Sequence, residues 1–240
     1  MTADRTKWGV QLVGQPSDLA DWEQALKQPF DPWVDRNGEE FALCWSGFDS
    51  CGTAVEVQAA AASIIEQLNG AMQIACATRP VRFDGIVEFR SDGTRSKLFF
   101  VEAKVEMRLR AIAGAGVIGP DGKVRPPPPP QQSEVQNWAA LGATDDLLAD
   151  ALAYFSRATW FDIYKAIESL EHRVGGETAL GSKNYIAMSE FKRLKRTANF
   201  HRHYLKGIHQ LPANPPTHKE GLEMLAILIR KALEEAAATP

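Results

Sequence analysis

The chain has 240 residues, a formal net charge of −3, and 45% hydrophobic against 24% charged residues, the balance of an ordinary globular protein with room for one core or two small ones. No apolar run approaches the roughly 20 residues of a membrane span, and the N-terminal MTADRTKWGV has no apolar signal segment, so a cytoplasmic location without a membrane partner is expected. Cys44, Cys51 and Cys76 are odd in number and widely spaced, which implies neither a disulfide framework nor a zinc ribbon and reads as buried free thiols.

Residues 1–110 read as a mixed α/β domain. WGVQLVG (8–14) predicts a strand, and Ser17 opens a short helix that ends before Pro29 and Pro32. A second strand, EEFALCWS, follows the Asn37-Gly38 turn. The Ala-rich stretch 53–69 predicts a helix with Val57, Ala61, Ile64, Ile65 and Leu68 on its core side, stopped by Gly70 and followed by a strand, AMQIACAT. Residues 81–109 predict an antiparallel hairpin turning at Ser91–Thr94. Val81, Phe83, Val87 and Phe89 alternate with charged residues, so one face is expected to be buried and the other charged.

Residues 111–133 are Gly-rich and then hold five consecutive prolines, Pro126 to Pro130, a composition for an extended polyproline linker or a ligand for an aromatic groove. From 134 to 240 the chain reads as an all-α bundle. Its helices are EVQNWAAL, TDDLLADALAYFS, TWFDIYKAIESLEHRV ended by Gly175-Gly176, a basic helix over 188–209, and a last helix opened by the capping box Thr217-x-x-Glu220. Trp138, Trp160, Phe161 and Tyr164 read as bundle core. The class is therefore α+β, with a mixed N-terminal domain carrying an antiparallel hairpin and a C-terminal helical bundle.

The basic helix holds the densest charge. From Lys183 to His209 there are seven Lys or Arg against one acid, Glu190, and three of the five histidines. Phe191, Leu194, Ala198 and Leu205 fall on one stripe and predict the buried side. Arg196, Asn199 and His203 fall on the opposite side, while His201 lies at the edge of the apolar stripe, where a packed histidine is expected. Lys192, Arg193, Lys195, Arg202 and Lys206 complete a basic patch, which suits either a phosphate contact or a solvated helix face. Phe200, beside the polar triad, suggests an interface.

The helix TWFDIYKAIESLEHRV, the R-x4-H and R-x6-H spacings from Arg196 to His201 and His203, and the final helix GLEMLAILIRKALEE together resemble the HEPN domains of bacterial defence and toxin ribonucleases over about residues 144–240. The resemblance implies a bundle that pairs with a second copy through the 188–209 helix and cuts RNA at that interface without a metal or cofactor. Arg196 would hold the scissile phosphate, Asn199 would be the motif's polar residue, and His203 or His201 would serve as acid or base. A guanidinium fork matches phosphate oxygens and an imidazole titrates near neutrality, so the chemistry is self-consistent. An inactive HEPN-like bundle that binds RNA or protein is the alternative. The N-terminal domain would then be a sensor or bind a protein partner.

A third reading comes from Asp84 with Glu102-Ala103-Lys104, an arrangement similar to metal-dependent PD-(D/E)xK nucleases, in which two carboxylates hold a metal and a lysine orients water. The same alternation equally describes a solvated sheet face with cross-strand ion pairs. The histidines at 201, 203, 209 and 218 lack metal-ligand spacing, so no metal is expected there.

Overall fold

A computed structural model describes residues 7–90, 94–99, 129–203 and 210–238. The class is α+β: an antiparallel sheet region precedes a helical region. Two compact units account for the chain, Met1–Ala61 with Val81–Gln136, and Ala62–Pro80 with Asn137–Pro240.

The sheet unit holds five antiparallel strands, β1 (Trp8–Val13), β2 (Trp33–Asn37), β3 (Glu40–Cys44), β4 (Arg82–Phe89) and β5 (Arg95–Phe99), in the order β2-β3-β1-β4-β5. The Asn37-Gly38 turn joins β2 to β3, with Asn37 opposite Glu40 and Gly38 at φ +63°, a conformation glycine adopts without strain. The sequence hid β2, because a strand of only WVDRN ends in three polar residues and follows two prolines. Helix α1 (Pro16–Ala25) starts with Pro16 in its first turn, and Gln15, not Ser17, is its N-cap.

Register explains the sheet's two packed faces. Gly9 lies between Cys44 and Val87, on the side of the buried cluster Trp33, Ala42, Cys44, Val87 and Phe89. A Cβ at Gly9 would stand 2.9 Å from the Phe89 ring and 3.0 Å from the Leu43 carbonyl. Val10 lies between Leu43 and Ile86, and all three are at most 1% exposed. The expectation of one buried and one charged face is thus corrected along β4, where Gly85, Ile86 and Val87 are buried in succession. Charged side chains instead pair with one another: Arg95 with Asp35 at 2.9 Å, and Lys97 with Glu40. Of the three cysteines only Cys44 is buried; Cys51 is half-buried and Cys76 exposed.

The helix expected over 53–69 continues without a break as α2 (Ala54–Cys76), so the strand expected at 71–78 is helix through Cys76. Gly70 is not a stop. Its missing side chain admits the backbone of Leu152: a Cβ there would lie 2.0 Å from the Leu152 carbonyl oxygen and 2.7 Å from its carbon. Both Gly70 and Leu152 belong to the helical unit.

That unit also contains α3 (Glu134–Gly142) from Asn137 onward, α4 (Asp146–Arg157), α5 (Trp160–Val174), α6 (Glu177–Ser182), α7 (Met188–Arg202) and α8 (His218–Ala238). Caps set the helix starts. Asp145 accepts from the Leu147 and Leu148 amides at 3.1 and 3.2 Å and pairs with Arg173 at 2.6 Å. Thr159 and Asp162 form a reciprocal capping box, and Thr217 and Glu220 form the one expected for α8. Left-handed Ala158 ends α4, and left-handed Gly175 ends α5. α5 packs against α4, α7 and α8, with Ile163, Ala166 and Ile167 fully buried at this centre.

In the sheet unit, Gln136 is 1% exposed. The two N–H groups of its side-chain amide are shared among the carbonyls of Lys27 (2.9 Å), Phe30 (3.2 Å) and Pro32 (2.9 Å), in a segment whose prolines have no N–H to donate. The turn of the hairpin at 91–93, its return strand beyond Phe99 and the proline linker up to 128 lie outside the described residues.

Gly70→Ala forces a methyl into a backbone and is expected to destabilise the fold by about 3 kcal/mol, read from the midpoint of urea unfolding. Gln136→Leu keeps the volume but takes the donor from the Phe30 and Pro32 carbonyls, while Lys27 keeps the Phe30 amide, and about 2 to 3 kcal/mol is expected from the same measurement.

Candidate functional site

α7 presents the side predicted for it: Phe191, Leu194 and Ala198 are at most 2% exposed. Thr197 is buried with them, and its hydroxyl donates to the Arg193 carbonyl at 2.9 Å. The helix ends at Arg202, and Leu205, Lys206 and His209 lie outside the described residues.

Acids from α5 and α6 neutralise two cations of the basic patch, Lys195 and Arg202, and Glu190 of α7 itself pairs with a third, Arg193. Lys195 donates to Glu171 and to Glu177, both at 2.6 Å. Burial disfavours its ammonium, but the two carboxylates outweigh that and hold it above the usual lysine range. Arg202 pairs with Glu168 at 3.3 Å and lies 4.3 Å over the Tyr164 ring. Arg193 pairs with Glu190 and donates to the Asn214 carbonyl at 3.3 Å. Lys192 and Arg196 remain: both are exposed, and neither makes an ion pair among the described residues.

These two cations share a groove of about 350 Å³ lined by Lys192, Lys195, Arg196 and Asn199 of α7, Tyr164 of α5 and Glu177 of α6. Spacing at i, i+3, i+4 and i+7 places the four α7 residues on one face. The groove therefore offers two unpaired cations, a third cation shared with Glu177, an amide and a phenol. An anion with several oxygens matches this set better than any apolar ligand.

The histidines stand elsewhere. His203 is the C-cap of α7 with extended backbone (φ −98°, ψ 115°), so the expected i+7 alignment with Arg196 ends one residue short of it. Its amide donates to the Asn199 carbonyl at 3.3 Å. His201 is exposed and stacks on Trp160, with ring centroids 5.1 Å apart and planes at 12°, and Phe200 meets it edge-on. His218 approaches the same indole edge-on at 5.3 Å and contacts the Ala158 carbonyl at 2.6 Å. Thus Trp160 draws together His201 and His218, but neither lines the groove, and no metal-ligating group of three occurs among the described residues. Trp160 and Tyr164 are half-buried and Phe161 is 51% exposed, so of the four aromatics assigned to the core only Trp138 is fully inside.

The sequence reading missed Tyr164 as a groove residue and Glu177 altogether. Tyr164 was hidden by its place in the apolar stripe of α5. Glu177 had a signal: it follows Gly175-Gly176, whose φ values of +92° and +119° turn the chain into α6.

The alternative constellation is only partly described. Asp84 is the extra residue of β4 at a bulge, since Gln11 faces Gly85 and Leu12 faces Phe83. One of its carboxylate oxygens is buried without a hydrogen-bond partner. Burial raises its carboxyl above the usual range, opposed by a backbone hydrogen bond and the charge of Lys97. Glu102 and Lys104 lie outside the described residues.

No helix among the described residues is long and apolar enough to cross a membrane. Comparison of the chain with protein-family models, with curated proteins and with solved structures finds no match.

Glu168, between Lys165 (2.6 Å) and Arg202, reports on the α5–α7 contact. Burial opposes its ionisation, but the hydrogen bond and charge of Lys165, with help from Arg202, hold its carboxyl below the ordinary 4.5. A lowered folded-state value contributes stability that is present above the unfolded value and lost as pH falls through the folded one. Glu168→Gln is therefore expected to melt below the parent at neutral pH, with the gap closing below about pH 4.

Proposed function

We propose that the helical unit binds the phosphates of RNA in the groove along α7. The observation that carries this reading is that Lys192 and Arg196, on one face of α7, keep their charges unpaired among the described residues while their neighbours are neutralised. Unpaired cations flanking a groove gain most from a polyanion, because binding releases the counterions condensed on it. Asn199 and Tyr164 supply the hydrogen bonds and the aromatic edge of such a site.

A second reading, metal-independent RNA cleavage by a HEPN-like pair of bundles, is favoured by one contact. The His203 amide reaches the carbonyl of the groove residue Asn199, which keeps an imidazole within a turn of the groove. In that reading Arg196 stabilises charge on the phosphate, and His203 or His201 moves the proton of the 2′-hydroxyl.

Binding is tested by fluorescence anisotropy with a labelled single-stranded RNA over a salt series. Lys192→Ala and Arg196→Ala are each expected to weaken binding by about tenfold and to reduce the salt slope by about 0.7. Parent protein that ignores RNA at low salt overturns the reading. Incubation of the same RNA in chelator separates the two readings: cleavage that is lost in Arg196→Ala and in a histidine variant supports catalysis, and intact RNA supports binding alone.

A further inference from the structure

We infer that Glu177 occupies the groove as a built-in competitor, so that an incoming phosphate displaces its carboxylate from Lys195. The inference rests on the phosphate-binding reading above and adds to it the residue that sets affinity.

Lys195 has three ammonium protons and two carboxylate partners. The partners are unlike. Glu171, on α5, has a side chain only 10% exposed, whereas Glu177, on α6, is 47% exposed and is the one acid lining the groove. Releasing Glu171 would strand a buried charge, while releasing Glu177 returns a carboxylate to water. Lys195 therefore has one permanent partner and one exchangeable one.

The position of Glu177 makes the exchange local. It is the first residue of α6, just beyond Gly175 and Gly176, both at positive φ, and its N-cap, Gly176, has no side chain to cap the helix. Glu177 has no hydrogen-bond partner besides Lys195 among the described residues. A phosphate seated against Lys192 and Arg196 would share the groove with this carboxylate and repel it at short range. Once Glu177 swings out, Lys192, Lys195 and Arg196 act together, three cations at i, i+3 and i+4 on one turn of α7. The site thus keeps a low affinity for single anions and reserves its third cation for a ligand whose charge can outcompete a carboxylate.

The experiment compares parent protein, Glu177→Gln and Glu234→Gln by anisotropy with a fluorescein-labelled oligouridylate over a salt series. Glu234 is an exposed acid outside the groove and controls for net charge. Glu177→Gln is expected to bind about fivefold tighter than parent, with a salt slope steeper by about 0.7 for the added phosphate contact, and Glu234→Gln is expected to match parent. Equal gains in both variants, or an unchanged affinity in Glu177→Gln with a lower melting temperature, would overturn the inference and assign Glu177 a structural role only. Those outcomes leave the binding reading intact as long as Arg196→Ala still weakens the parent. Absence of binding by both parent and Glu177→Gln overturns the binding reading, and the inference with it.

Discussion

The placement of Lys195 between Glu171 and Glu177 is the constraint on which the candidate site depends. α7 carries more positive charge than any neighbouring segment, and a helix so charged packs on a bundle only where acids receive it. α5 provides Glu168 and Glu171, and α6 provides Glu177. Where α7 packs on α5, Phe191, Leu194 and Ala198 of the one and Ile163 and Ile167 of the other are buried. The apolar stripe holds the helix down, while the ion pairs fix its rotation and decide which cations are left over. The left-over cations, Lys192 and Arg196, define the groove.

The sheet unit solves a different problem. Its strands carry buried side chains on both faces, so the charged residues interspersed among them must find partners on the sheet itself. Arg95 with Asp35 and Lys97 with Glu40 do so. Asp84 does so incompletely, because the bulge that re-aims it also buries one of its oxygens. The segment 27–32 is poor in donors of its own, and Gln136 supplies one side-chain amide to three of its carbonyls. A single polar side chain thereby replaces the hydrogen bonds that a regular element would have made.

Periodicity made the long elements legible in the sequence. The core side of α2, the stripe of α7 and the capping box of α8 follow from spacing alone, because each is a pattern within one helix. The rest depended on contacts made at long range. Gly70 looks like a helix stop until Leu152 arrives against it, and β2 looks like loop until β3 pairs with it. The basic face of α7 shows which residues are charged but not which are neutralised, since that is decided by acids on two other helices. Arg196 and Asn199 were legible as site residues for this reason of shared face. Tyr164 was not, because nothing local distinguishes a groove-lining tyrosine from a core one, and the glycine pair before Glu177 marks a turn without showing that Lys195 lies across from it. His203 was placed on the same face by assuming that the helix runs past Arg202, where α7 ends.

The contact at Gly70 reaches beyond stability. Where backbone meets backbone with no side chain between, two helices can turn about the crossing point but cannot slip past it. Advancing α2 by one residue would carry the Cβ of Asn69 or Ala71 into the Leu152 carbonyl, at a separation no packing adjustment relieves. Gly70 therefore acts as a pivot. Within the helical unit, any rearrangement of α2 against α4 that slides one backbone along the other meets this contact first.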